Sequence, residues 1–158
     1  MKEFLKKQTV GNYIAAGAAL TGLIAFILYL INGTATGYFK GTNESSVIVM
    51  SIFAILALCG AIALSQFKFE GKVGDVSNIG VGVLRVVGAV LLVASLILFI
   101  SSRAEGLAFI FGSNKDVIAE VQTPENMSSA GVAIAGFVFY IIAWLASVVA
   151  SFFKIVKE

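Results

Sequence analysis

The chain has 158 residues, of which 59% are hydrophobic and 13% charged, with a formal net charge of +2, no histidine and a single cysteine. A soluble domain carries roughly 45–50% apolar and about 25% charged residues, so the composition places this chain among membrane proteins. The missing histidine removes imidazole acid–base catalysis, and one cysteine removes intrachain disulfides and multi-cysteine zinc sites.

In chain order, a basic tail with Lys2, Lys6 and Lys7 precedes an apolar run over residues 10–31. A signal-peptide core is typically 7–15 residues, so this longer run reads as a retained span. Residues 32–46 read as an irregular outer loop rich in Gly, Thr and Asn, with Tyr38, Phe39 and Lys40 suited to the membrane interface. The second span covers residues 47–64. Residues 65–78 read as a cytoplasmic loop in which Phe67-Lys68-Phe69-Glu70 lies at the headgroups and Gly71 and Gly74 turn the chain.

The third span covers residues 79–100. Residues 101–129 form the larger outer loop. It contains an apolar island at residues 106–112, too short to cross a bilayer, then a brief element at residues 116–122 that Pro124 ends. Leu107, Phe109, Ile110 and Phe111 of the island are the candidate partner-contact residues. The fourth span covers residues 130–153. The four spans hold more than half the chain and only one charge, Arg85. The expected fold is a single all-α membrane domain over 1–158, an antiparallel bundle of four transmembrane helices.

Orientation follows from the basic residues. Lys2, Lys6, Lys7, Lys68, Lys72, Arg85, Lys154 and Lys157 fall on one side, against Lys40, Arg103 and Lys115 on the other. Both termini are therefore expected in the cytoplasm, in a plasma or bacterial inner membrane. The basic excess serves orientation and attraction to anionic lipid, not nucleic-acid binding.

Small residues recur at alternating three- and four-residue spacing. The first span carries Gly11, Ala15, Ala18, Gly22 and Ala25, then Tyr29. The fourth carries Ala133, Gly136, Tyr140, Ala143, Ser147 and Ala150. Ala54, Ala57 and Ala61 repeat the pattern in the second span, and Arg85, Gly88, Leu92, Ser95 and Phe99 in the third. Such spacing keeps one helix face toward a partner, and small residues allow the close approach that membrane helices need. Tyr29 and Tyr140 are expected as interfacial anchors, and Trp144 in a structural contact.

Ionisable residues within spans are functional candidates by default. Arg85 lies near the cytoplasmic end, so its expected role is to snorkel to water, with an anion or lipid-headgroup contact as the functional alternative. No acidic residue falls in any span, which argues against a carboxylate proton relay. Thr21, Ser51, Ser95 and Ser147 supply only hydroxyls. Cys59 reads as a buried, inert thiol, and Gly80-x-Gly82 is too little for a nucleotide motif. N-x-S/T sequons at Asn32, Asn43 and Asn126 all fall on the expected outside.

The chain shares a tetraspan outline with claudins and tetraspanins, but it lacks the claudin Trp and paired cysteines and the tetraspanin Cys-Cys-Gly motif. No cofactor or metal site is expected, and no enzyme. The sequence reads as a small membrane subunit or accessory acting through helix packing and outer-loop contacts, with lipids and either further copies or another membrane protein as partners. The alternative is an oligomeric channel or transporter for ions or small solutes.

Overall fold

The computed structural model describes residues 9–67 and 71–153, and all regular structure among them is helical. The charges at Lys2, Lys6, Lys7, Lys68, Lys154 and Lys157, and Phe69 and Glu70, lie outside the described residues. Among the described residues there are five helices: α1 Val10–Thr34, α2 Ser45–Leu64, α3 Gly71–Gly112, α4 Lys115–Val121 and α5 Pro124–Ser151. All except α4 are long and apolar enough to cross a membrane.

Local chemistry sets the helix starts. Thr9 accepts the Asn12 N–H at 3.2 Å, Asn114 accepts that of Val117 at 3.0 Å, and Thr123 accepts that of Asn126 at 3.2 Å. Each satisfies a backbone donor that the first turn leaves open. Glu44, which precedes α2, makes no side-chain cap. Its N–H is bonded instead by the Tyr29 hydroxyl, reaching over from α1.

α3 departs most from the sequence reading. It starts at Gly71, within the expected cytoplasmic loop, and continues through the expected outer boundary to Gly112. Residues 106–112 are its last turns and not a loop island. The brief element beyond is helical, as α4, and Pro124 opens α5 instead of closing that element. Proline suits the first helical turn, where its missing N–H had no intrahelical acceptor. Polar residues such as Ser101, Ser102 and Arg103 mark where the hydrocarbon ends, but they do not end a helix. Ser102 Oγ simply donates back to Phe99 O at 2.9 Å.

α1 packs chiefly on α5, α2 on α3, α3 on α5, and α1 on α2, so α1 and α3 face each other across the interior. The start of α1 lies against the end of α5, where a Cβ on Gly11 would stand 2.8 Å from Phe153 Cβ. The end of α1 meets the start of α5, where Asn32 bonds Ser129. Gly11, Ala15, Ala18, Gly22, Ala25 and Tyr29 are all buried, as are Ala133, Gly136, Tyr140, Ala143, Ser147 and Ala150. The interior between them is filled by Leu58, Leu92 and Phe99. Gly136 shows the tolerance: a Cβ there would lie 2.7 Å from the Phe99 ring.

Candidate functional site

The buried line of α3 runs Arg85, Gly88, Leu92, Ser95, Phe99 and on through Arg103, Gly106 and Ile110. The two arginines are 18 positions apart, which is five helical turns and about 27 Å. They share a face, and their separation is close to the thickness of a hydrocarbon core, about 30 Å. Arg85 is 1% exposed and Arg103 0%.

Arg85 does not snorkel. Its side chain turns inward and across to α1 and to the end of α5. Nη2 donates to Asn12 Oδ1 at 2.6 Å, and Nη1 donates to Ala150 O at 2.9 Å and Phe153 O at 3.2 Å. Carbonyls at a helix C-terminus lack intrahelical donors and carry the negative end of the dipole, so a guanidinium there both bonds them and is stabilised by them. Gly11 admits the side chain: its Cβ would lie 3.1 Å from Arg85 Nη1. Asn12 is held in turn by Ser65, which accepts from Asn12 Nδ2 at 2.9 Å.

The Arg103 end repeats this logic with different neighbours. Nε donates to Asn32 Oδ1 at 2.7 Å, and Nη1 to Thr42 O at 3.0 Å. Asn32 Nδ2 donates to Ser129 O at 2.7 Å, tying α5 into the same group. The guanidinium lies 5.1 Å from the Phe39 ring centroid and 5.6 Å from those of Tyr29 and Phe99. Desolvated cation–π contacts of this kind are worth about 2 kcal/mol. The α1–α2 connection closes over the cluster. Gly37, at φ +128°, lies where a Cβ would stand 2.6 Å from that of Ser129, and Phe39 covers Gly106. Among the described residues the two guanidinium groups donate to amide and backbone oxygens and, from Arg103 Nη1, to Ser102 Oγ at 3.4 Å. Arg85 Nε and Arg103 Nη2 have no hydrogen-bond partner among the described residues.

The other diagonal, α2 to α5, is fastened by a pair of hydroxyls. Ser51 Oγ donates to Val47 O at 2.7 Å, so its 2.6 Å contact with Tyr140 Oη has the tyrosine as donor. Tyr29 and Tyr140 are fully buried joints and not interfacial anchors. No family model matches the chain, and no curated protein or solved structure matches it.

The remaining candidates divide by exposure. Ile110 is buried, Leu107 half-buried, and Phe109 and Phe111 exposed, with Phe109 6.0 Å from the Tyr38 ring. Gln122 Nε2 donates to Ile110 O at 3.1 Å and secures the end of α3. Cys59 is exposed on the outside of α2, contrary to the buried placement expected from its position mid-span. Trp144 is half-buried in a groove of about 260 Å³ between α3 and α5, among Val86, Val90 and Val148. A second groove, of about 590 Å³, runs between α2 and α3 and is lined by Phe53, Leu84 and Leu91. Neither has a charged lining. Among the described residues no group of three or more His, Cys, Asp or Glu is placed to hold a metal.

Arg103 was missed in the sequence reading, although a signal for it existed. It continues the Arg85–Phe99 line by one further four-residue step, and Asn32 matches Asn12 at a similar separation on α1. The sequons also change meaning. The side-chain nitrogen of Asn32 donates to Ser129 O, that of Asn126 to Val121 O at 2.8 Å, and Asn43 packs over Gly33.

Proposed function

We propose that the protein is a small non-enzymatic integral membrane subunit, or accessory of a membrane assembly, that works through lateral contacts. In this reading it is an antiparallel four-helix bundle with both termini cytoplasmic, Arg85 toward the cytoplasm and Arg103 toward the outside. One observation carries the reading. Arg85 and Arg103, on the buried face of α3, are both turned inward and bonded to the bundle's own amides and carbonyls. They serve as clamps and offer no charge to a passing solute or a substrate.

The outward surface supports the same view. The exposed residues of the long helices are dominated by Val, Ile, Leu and Phe, and the grooves between helices are apolar. Such a surface meets lipid tails or another apolar helix. At the outer end, Tyr38, Phe109 and Phe111 present exposed rings suited to the headgroup level or to a partner there.

Co-purification in mild detergent tests the proposal. The expected result is a defined complex, with further copies or a second membrane protein, at constant stoichiometry. Recovery as a stable monomer with no companion protein contradicts it.

A further inference from the structure

The Arg103 end of the bundle holds two buried polar atoms of opposite character. Arg103 Nη2 can only donate and Asn43 Oδ1 can only accept, and neither has a hydrogen-bond partner among the described residues. Arg103 is 0% exposed. Groups left unmet in this way lose their hydration with nothing in return, most heavily the charged one. The other end of the amide sets its orientation. Asn43 Nδ2 points to Leu30 O at 3.5 Å, which leaves the oxygen on the opposite side.

Chain connectivity turns both atoms toward one gap. A guanidinium is a rigid fork in which Nη2 shares one edge with the Nε–H and the tip with Nη1. Here the Nε–H is held on Asn32 Oδ1 at 2.7 Å and Nη1 on Thr42 O at 3.0 Å. Nη2 therefore faces the space between Asn32, near the end of α1, and Thr42, in the α1–α2 connection. The residues that follow these two, Gly33 and Asn43, meet beside that space, since a Cβ on Gly33 would stand 2.0 Å from Asn43 Oδ1. The Gly41 N–H donates to Gly33 O at 2.7 Å and holds the connection down on α1. Lys40, Gly41 and Thr42 are exposed, so solvent lies just above.

A group seated there must accept from Arg103 and donate to Asn43. A halide or a carboxylate only accepts, and it sets a negative charge against the amide oxygen. A metal or ammonium ion is repelled by the guanidinium. Water accepts and donates, and buried waters characteristically join polar groups that lack a protein partner. We propose that one buried water molecule bridges Arg103 Nη2 and Asn43 Oδ1 as the remaining link of the Arg103 clamp. It ties the α1–α2 connection to α3 beside the bond to Thr42 O. It also gives Asn43, the asparagine of the Asn43-Glu44-Ser45 sequon, a place inside the fold. The inference goes beyond the subunit reading and does not depend on it, since it involves no partner protein.

Two measurements on the whole chain test this. In the first, Asn43→Ala and Arg103→Met are made singly and together, and reversible unfolding is followed in mixed micelles. A shared water predicts that the double variant shifts the unfolding equilibrium less than the product of the two single shifts, by a factor of about three or more. Asn43→Ala paired with Tyr140→Phe, which removes a bond elsewhere in the bundle, is expected to give the simple product. Exchange of chloride for gluconate at constant ionic strength is expected to leave the equilibrium unchanged. A simple product for the Asn43 and Arg103 pair overturns the proposal, as does a chloride effect that Arg103→Met removes. In the second, crystals are grown from lipid in the presence of bromide. The expected result is a solvent peak within about 3.2 Å of both atoms, without the anomalous signal of bromide. A bromide signal at the site, a direct bond between Arg103 and Asn43, or no peak between them overturns it.

Discussion

Asn32→Leu is the most informative single change, because its effect differs in kind from removal of the arginine it serves. The amide accepts from Arg103 Nε at 2.7 Å and donates to Ser129 O at 2.7 Å. Leucine leaves a fully buried guanidinium short of an acceptor, with Nη2 already without a partner among the described residues. Removing the partner of a buried charge costs about 3–5 kcal/mol. Arg103→Met leaves instead an uncharged amide oxygen without its donor, at about 1–3 kcal/mol, and relieves the desolvation of the charge. The double variant Asn32→Leu/Arg103→Met holds neither the stranded charge nor the stranded amide oxygen. It should therefore lose less stability than the two single changes summed, by about 0.5–3 kcal/mol, the range of coupling energies between residues in contact. The assay is reversible unfolding in mixed micelles by added denaturing detergent, followed by Trp144 fluorescence and helix content. At roughly 2–4 °C per kcal/mol for a chain of this size, Asn32→Leu should also lower Tm by about 6–20 °C. If the two changes simply add, the arginine clamp as described here is wrong.

Other outcomes follow from the same contacts. Gly136→Val should destabilise by about 1–3 kcal/mol, since its Cβ would enter the Phe99 ring, whereas Gly131→Val, with open space around it, should be near neutral in the same unfolding assay. Tyr140→Phe removes one interhelical hydrogen bond and leaves Ser51 bonded to Val47 O, so its expected cost is about 0.6 kcal/mol and no more than about 1.7. Tyr29→Phe removes the side-chain bond to the Glu44 N–H and should cost about 0.5–2 kcal/mol, the value of a lost helix cap. Expression in a glycosylating host should give a protein whose gel mobility does not change with glycosidase, because Asn32 and Asn126 use their side-chain nitrogens inside the fold.

Helix packing was the part most open to reading from sequence. The small-residue lines of the first and fourth spans coincide with the buried faces of α1 and α5, since close helix approach leaves a periodic mark that needs no knowledge of the partner. Hydropathy was a poorer guide to where α3 begins and ends. It reports the solvent around a residue, and a helix passes from hydrocarbon to water without a break in its hydrogen bonds. Residues 71–78 and 106–112 therefore look like loops in the sequence although they belong to one helix. The fate of Arg85 was hidden for a different reason. A side chain near a membrane boundary can turn outward to water or inward to acceptors. What decides is Gly11, Asn12 and the end of α5, which lie far away in sequence and meet it only in the fold. Arg103 was obscured by its neighbours Ser101, Ser102 and Glu105, whose polarity resembles a loop.

The most direct test of lateral assembly is the mass of the particle that carries the protein when it is cut from its native membrane with a surrounding lipid patch, without detergent. Native mass spectrometry of such particles should show the 16.6 kDa chain together with at least one further copy or a second membrane protein. Particles that each hold one copy, alone with lipid, would contradict the account.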